Sequence, residues 1–296
     1  MSGDSHSDLR IAVVHEWLES YAGSEKVLEQ MLQVLPDADL LAVVDFLPPE
    51  RRGFLGGRTV RTSFIQKLPL ARRHFRKYLP LMPRAVERLD VSDYDLVVSN
   101  SHAVAKGVRT RPDQLHLCYC HTPMRYAWAM PEEYLGAAGL ARGLRGLAAR
   151  ALLKRLRRWD LRAASRVTAF AANSRFVAER IRQAYGREAR VIHPPVDVGR
   201  FALCERKEDF YLSVSRLVPY KRVDLLVEAF GRLGDRRLVV IGDGPQLGAL
   251  RARAGDNVTL LDYQDDASLA DHLRRARALV FAGVEDFGIV PVEAQA

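Results

Sequence analysis

A chain of 296 residues, 48% hydrophobic and 27% charged, can bury enough apolar surface for two ordinary domains and is not a disordered composition. Its net charge of +9 favours polyanionic partners, whether nucleic acid, anionic lipid or a phosphorylated substrate, without choosing among them. No apolar run approaches the roughly 18 residues a membrane span requires, and the opening MSGDSHSDLR lacks the apolar core of a secretory signal, so a cytosolic protein is expected. Cys118, Cys120 and Cys204 are odd in number and lack CxxC spacing, which argues against a disulfide framework or a structural zinc site.

In chain order, short Val- and Ile-rich segments alternate with helical patterns, the signature of a parallel sheet flanked by helices. RIAVVHEW is the first predicted strand, and His15, Glu16 and Trp17 leave its end, as acceptor-side groups or as a simple strand-end cap. ADLLAVVDF follows, then a basic cluster, LARRHFRKYLPLMPR, which sets Arg72, Arg73, Arg76 and Lys77 beside Phe75 and Tyr78. YDLVVSNS ends in Asn100 and Ser101, and LHLCYCHT ends in His121, a position that suits either a structural or a functional imidazole. From Gly139 to Arg166 a long helical pattern places Leu140, Leu144, Leu147, Ala151 and Trp159 at recurring spacing among nine Arg or Lys residues. Such a helix suits an anionic membrane surface, or a domain helix with a solvated charged face. No RNA- or DNA-binding signature accompanies the charge, so nucleic acid is not expected as a partner. RVTAFAANS, ending near Ser174, and ARVIHPPV complete a first domain over 1–197.

Periodicity lapses between Pro194 and Asp209, which sets a linker at 198–208 and a second domain at 209–296. DFYLSVSRL, RRLVVIGDG, NVTLLDY and RALVFAGVEDFGIV are its predicted strand segments, with helices over VDLLVEAFGRL and LADHLRRAR. In a doubly wound fold, ligands bind beyond the carboxyl ends of the strands. Arg216 closes one strand and Lys221 opens the next helix; two cations there suit a diphosphate, or are surface charges. Glu285 and Glu293 lie eight residues apart around Gly288, the second placed on the first turn of a helix. That loop can offer backbone N–H groups to phosphate and a carboxylate to ribose hydroxyls; a dipole-complementing acid and a solvated loop acid are the plainer readings. The sequence stops at GIVPVEAQA just as this helix opens, so the second domain is expected to be incomplete, a C-terminally truncated fragment.

SRLVPYKRVD, IGDGP and EDFGIVPVE, in this order and spacing, resemble the donor domain of family-4 glycosyltransferases. YCHTPMRYAW and NSRFVAERI resemble the same family, specifically its GDP-mannose-dependent mannosyltransferases, and the likeness covers nearly the whole chain. It implies the GT-B fold, two Rossmann-like domains facing across a cleft. It implies that Arg216 and Lys221 grip the donor diphosphate, that Glu293 contacts the ribose and that Glu285 faces the transferred sugar. Phe287, Gly288 and Ile289 would lend backbone amides, Gly244 and Leu261 to Tyr263 would border the base, and His121 would point toward the reacting sugar. Gly23 and Ser24 would bring amides near the reaction centre, although many relatives have two glycines where this chain has Ala22 and Gly23.

The implied activity is retaining hexosyl transfer, mannose from GDP-mannose, to a lipid-linked or polysaccharide-precursor acceptor, without a protein nucleophile, in the cytoplasm or on the inner face of the plasma membrane. No Asp-x-Asp motif is read as chelating a metal with the diphosphate, so no cofactor and metal-independent activity are expected. The alternatives are a sugar-nucleotide epimerase of the same fold and a non-catalytic sugar-nucleotide or membrane-binding protein.

Overall fold

A computed structural model describes residues 9–137, 139–140 and 142–296. The start of the segment read for a signal, residues 1–8, and Ala141 within the basic helical pattern lie outside the described residues. The chain divides into two compact units, residues 1–195 and 196–296.

Unit 1 is built on a seven-stranded sheet. Its strands are β1 (Ile11–Leu18), β2 (Asp39–Asp45), β3 (Val60–Thr62), β4 (Leu96–Ser101), β5 (Leu115–Cys120), β6 (Ala169–Ala172) and β7 (Ala189–Val191). All pairings are parallel, in the order β3-β2-β1-β4-β5-β6-β7. Because helices cover both faces, the central strands are apolar on both sides: Ala12, Val14, Leu41 and Val43 enter one core, while Val13, Leu40 and Ala42 enter another. The strand order reverses direction between β1 and β4, which opens a crevice at their carboxyl ends. His15, Glu16 and Trp17 do not leave β1, as the sequence suggests, but lie within it, and His15 and Glu16 are fully buried.

The basic pattern forms one helix, Gly143–Ser165. Its core face is not the predicted leucine stripe. Leu156, Trp159, Ala163 and Ala164 are buried, whereas Leu144 and Leu147 are 85% and 64% exposed. The buried stripe runs through the C-terminal half, where the helix packs on the segment around Gly107, whose added Cβ would meet the Trp159 ring at 2.3 Å. Lys106 and Asp160 form a fully buried ion pair at 2.5 Å beneath this helix. The Asp160 carboxylate also accepts from Trp128 Nε1 and the Tyr185 hydroxyl, each at 2.7 Å.

Unit 2 has the parallel order β10-β9-β8-β11, from β8 (Phe210–Val214), β9 (Arg237–Ile241), β10 (Val258–Leu261) and β11 (Ala278–Leu279). Leu238 and Val240 enter one core and Val239 and Ile241 the other. The last strand is shorter than RALVFAGVEDFGIV suggests: Ala278 and Leu279 form β11 and pair with β8 before the chain turns away. The reversal of order here falls between β8 and β11.

Candidate active site

In unit 2 the loops after β8, β9 and β11 meet at the carboxyl edge of the sheet. The β8 loop is stitched to the β9 loop by backbone bonds, Leu217 N–H to Asp243 O at 2.9 Å and Gln246 N–H to Leu217 O at 3.1 Å. Gly242 and Gly244 allow this approach: an added Cβ would lie 1.9 Å from Ser215 O and 2.4 Å from Leu217 O, and both have positive φ, 151° and 157°. Gly283 makes the matching approach from the β11 loop, with its added Cβ 2.8 Å from Lys221 Cα. The Lys221 ammonium then reaches both oxygens of Glu285, at 2.6 and 2.7 Å.

Lys221 closes a single 3-10 turn, Pro219–Lys221, and the helix opens at Val223 rather than at Lys221. Arg216 is exposed on the same loop, flanked by the two stitched residues Ser215 and Leu217, and its guanidinium has no ion-pair partner among the described residues. Ser215 Oγ and Gln246 Oε1 are buried without a hydrogen-bond partner, an uncommon condition in a folded interior. Gly288 caps the helix Ile289–Gln295 in the left-handed region, which places Glu293 on the second turn, not the first. Glu293 is buried, and its Oε1 accepts from Arg200 Nη2 at 3.0 Å; Arg200 also pairs with Asp266 at 3.1 Å. Leu261 ends β10 and Tyr263, two residues on, is 65% exposed.

In unit 1 the carboxyl ends of β1, β4 and β5 carry a chain of hydrogen bonds. Glu25 Oε1 lies 3.3 Å from His15 Nε2, and Asn100 Nδ2 lies 3.2 Å from His15 Nδ1 and 2.9 Å from Ser24 O. His121 Nε2 lies 2.5 Å from Asn100 Oδ1. The Ser24 carbonyl can only accept, which fixes the amide nitrogen of Asn100 and, by succession, every proton in the series. His15 accepts at Nδ1 and donates from Nε2 to Glu25; His121 donates from Nε2, and its Nδ1 is the acceptor. Burial, reinforced by the proximity of His102 and His15, pushes the His121 pKa down to about 3, so the ring is neutral. Burial would raise the Glu25 pKa, but hydrogen bonds from His15, Ser24 and its own backbone N–H outweigh this and hold the carboxyl low.

Glu25 serves twice, since its Oε2 accepts from Ala22 N–H at 3.0 Å as one arm of a capping box for the helix Gly23–Val34. Gly23 and Ser24 thus open that helix, and Ser24 touches the histidine series through its carbonyl. Thr122 Oγ1 and Asn173 Oδ1, beside His121, are buried without partners. Ser174 caps the helix Arg175–Tyr185, accepting from Val177 N–H at 3.1 Å. Among the described residues no three His, Cys, Asp or Glu side chains are grouped as metal ligands would be. Contrary to the sequence reading, the chain has two Asp-x-Asp triplets, 37–39 and 93–95, which stand at the amino ends of β2 and β4, opposite the carboxyl edge of unit 1.

The two doubly wound units match two family models in tandem. Residues 21–200 match "Glycosyltransferase Family 4" and residues 200–296 match "Glycosyl transferases group 1", the first covering more than half the chain. The chain belongs to glycosyltransferase family 4. Among solved structures, this family-4 glycosyltransferase is similar to Anabaena HepE in complex with UDP and glucose, at TM-score 0.66 and 17% identity over 97% of this chain and 78% of that one. It is similar to sucrose-phosphate synthase from Thermosynechococcus elongatus at TM-score 0.66 and 15% identity, over 96% and 79% of the two chains. A glycosyltransferase from Rickettsia africae matches at TM-score 0.53 and 14% identity, over 97% and 77%. No curated protein matches the chain. The fold of the family-4 enzyme is accordingly GT-B, with two Rossmann-like units.

Three residues of this enzyme's two edges escape sequence reasoning, as does the burial of a fourth. Glu25 reads as an ordinary first-turn acid and Arg200 as a loop cation, and neither carries a spacing signal toward His15 or Glu293. Glu16 reads as a strand-end polar residue although it is fully buried. Gly283 is the one with a trace in sequence, because a glycine following a strand marks a close backbone approach.

Proposed function

We propose that this glycosyltransferase moves a hexose, mannose from GDP-mannose, to a lipid-linked or polysaccharide-precursor acceptor with retention of configuration. The observation that carries the reading is the Lys221–Glu285 pair, which joins two segments 64 residues apart at the carboxyl edge of unit 2. A cation already fixed by a carboxylate stabilises charge developing on a departing diphosphate without reorganising during the reaction. Arg216, exposed on the same loop, adds a second cation, and Ser215 Oγ and Gln246 Oε1 are available polar atoms beside it. Gly244, Leu261 and Tyr263 border the base, Phe287, Gly288 and Ile289 offer backbone groups, and the Glu293 carboxylate, steadied by Arg200, contacts the ribose. Gly23, Ser24 and the acceptor nitrogen of His121 serve the sugar from unit 1.

HepE has been crystallised with UDP and with UDP-glucose, which supports a nucleotide-sugar donor here; the GDP-mannose assignment rests on the HTPMRYAW likeness. The enzyme would work in the cytoplasm, at an anionic membrane surface and without a metal ion. No helix among the described residues is long and apolar enough to cross a membrane.

Titration calorimetry with GDP, UDP and ADP tests the donor, with GDP expected to bind tightest. Lys221→Ala or Arg216→Ala removes a charge-assisted contact of roughly 1.5–3 kcal/mol, an affinity loss of about 10- to 150-fold. Unchanged affinity in both variants removes the diphosphate assignment. GDP-mannose incubated with lipid extract should yield a mannosylated lipid whose anomer, read by NMR, matches the donor; a free epimer of mannose instead would indicate the epimerase. Activity is expected to survive EDTA, and loss restored by a divalent cation would refute metal independence.

A further inference from the structure

A groove of about 710 Å³ on unit 1 is lined by six arginines, Arg84, Arg88, Arg109, Arg155, Arg162 and Arg166, against one acid, Glu87. Glu87 is already engaged, 2.8 Å from Trp159 Nε1, 3.2 Å from Arg109 and 3.7 Å from Arg166. Arg84, Arg88, Arg155 and Arg162 have no carboxylate partner among the described residues. A concave, low-dielectric wall bearing one sign of charge focuses its field far more than the same charges spread on a convex face.

The rest of the lining is apolar: Pro80, Leu81, Pro83, Leu152, Leu156 and Trp159. Along the helix Gly143–Ser165 the apolar character continues outward. Leu144 and Leu147, 85% and 64% exposed, share one helical face with Arg155 and Arg162 at 100° per residue. A free phosphate ion needs the guanidinium groups but has no use for this apolar half or for exposed leucines beside it. An anionic lipid uses both.

The groove is also remote from the reacting edge. Glu87 and Arg88 lie in the connection into β4, Arg109 in the connection into β5, and Arg166 in the connection into β6. In a parallel sheet these connections stand at the amino edge, opposite the carboxyl edge that holds His121. We propose that this groove is an anchoring site for lipid-borne phosphate, which seats this face of unit 1 on an anionic bilayer. The proposal gives the membrane contact of the proposed function a location, distinct from the Arg72 to Lys77 cluster, and its readout is independent of sugar transfer, so either can fail alone.

The test is co-sedimentation of the full chain with phosphatidylcholine vesicles that contain or lack phosphatidylglycerol. Binding is expected only with the anionic lipid. The triple variant Arg84→Gln/Arg155→Gln/Arg162→Gln should bind about a hundredfold more weakly, at roughly a factor of five per cation removed from the surface field. Two controls remove equal charge: Arg72→Gln/Arg73→Gln/Lys77→Gln, and Arg232→Gln/Arg237→Gln/Arg253→Gln in unit 2. Both should retain most of the binding, and calorimetric affinity for GDP should be the same in all variants. Leu144→Ser/Leu147→Ser, on exposed positions, should weaken vesicle binding without changing charge, and it keeps the test decisive if the arginine variant fails to fold. The proposal is overturned if the groove variant binds as the wild type does, if either control loses as much, if the leucine variant is unaffected, or if inorganic pyrophosphate binds the groove while vesicles do not.

Discussion

Replacing Glu16 by Gln tests how a buried carboxylate organises the site edge of unit 1. Glu16 is 0% exposed, and its Oε1 accepts from Ser101 Oγ and from the N–H groups of His102, Ala103 and Ala105 at 2.7–3.1 Å. Its Oε2 accepts from Val104 N–H at 2.8 Å. A glutamine keeps one oxygen, which must serve the four donors, so its amide nitrogen then faces Val104 N–H. One charge-assisted bond becomes a donor–donor contact and the others weaken, for a cost of about 3 kcal/mol. Urea denaturation followed by tryptophan fluorescence isolates the effect, because all three tryptophans, Trp17, Trp128 and Trp159, belong to unit 1.

The pH dependence has a definite sign. Burial alone would raise the Glu16 pKa; interaction with His102 and the N–H donors of Val104, Ala103 and Ala105 outweigh it and hold the carboxyl below 4.5. Because burial keeps His102 itself below its ordinary 6.5, the backbone donors supply that pull at neutral pH. A folded pKa below the unfolded one gives stability that is complete above about pH 4.5 and is lost as pH falls through the folded value. The gap between wild type and Glu16→Gln should therefore be constant near neutrality and close in acid. A gap under about 1 kcal/mol, or one that ignores pH, would refute this account of the loop.

Lys106→Met leaves the Asp160 carboxylate buried without its cation and should cost unit 1 about 3–5 kcal/mol, read by the same fluorescence transition; a loss below 1 would show the pair to be dispensable. Gly242→Ala forces a Cβ to within 1.9 Å of Ser215 O at a φ of 151°, and calorimetry should show unit 2 losing at least ~2 kcal/mol together with its nucleotide affinity. Nitrogen-15 NMR of His121 should show a protonated Nε2 and a bare Nδ1 that persist until pH approaches about 3, and Asn100→Ala should turn this into a mixture of tautomers whereas Glu25→Ala should leave it unchanged; an Nδ1–H form in the wild type would break the proton assignment.

The α/β architecture was legible because fully buried parallel strands must be continuously apolar, and LLAVVD or LVVSNS admits little else. β3 was not legible: Val60, Arg61 and Thr62 show neither a run nor an alternation, and they form a strand only because β2 presents an open edge to them. Lys221 and Glu285 were legible as a meeting point because both follow strands that the doubly wound rule sets side by side. Arg200 and Glu293 were not, since 93 residues separate them and only the finished fold shows that one steadies the other. The helix Gly143–Ser165 misled the leucine pattern because its N-terminal half packs on little, so spacing alone could not tell its exposed stripe from its buried one. Lys106 and Asp160 did leave a trace: a lone lysine inside HAVAKGV, and the only acid among the nine cations from Gly139 to Arg166.

The cysteines supply a ruler. Cys118 and Cys120 are fully buried in β5, whereas Cys204, in unit 2, is partly open to solvent. A maleimide dye should thus mark one position of the native protein without any engineering, and resonance energy transfer from the indoles of unit 1 to that dye would follow the separation of the two halves as nucleotide is added.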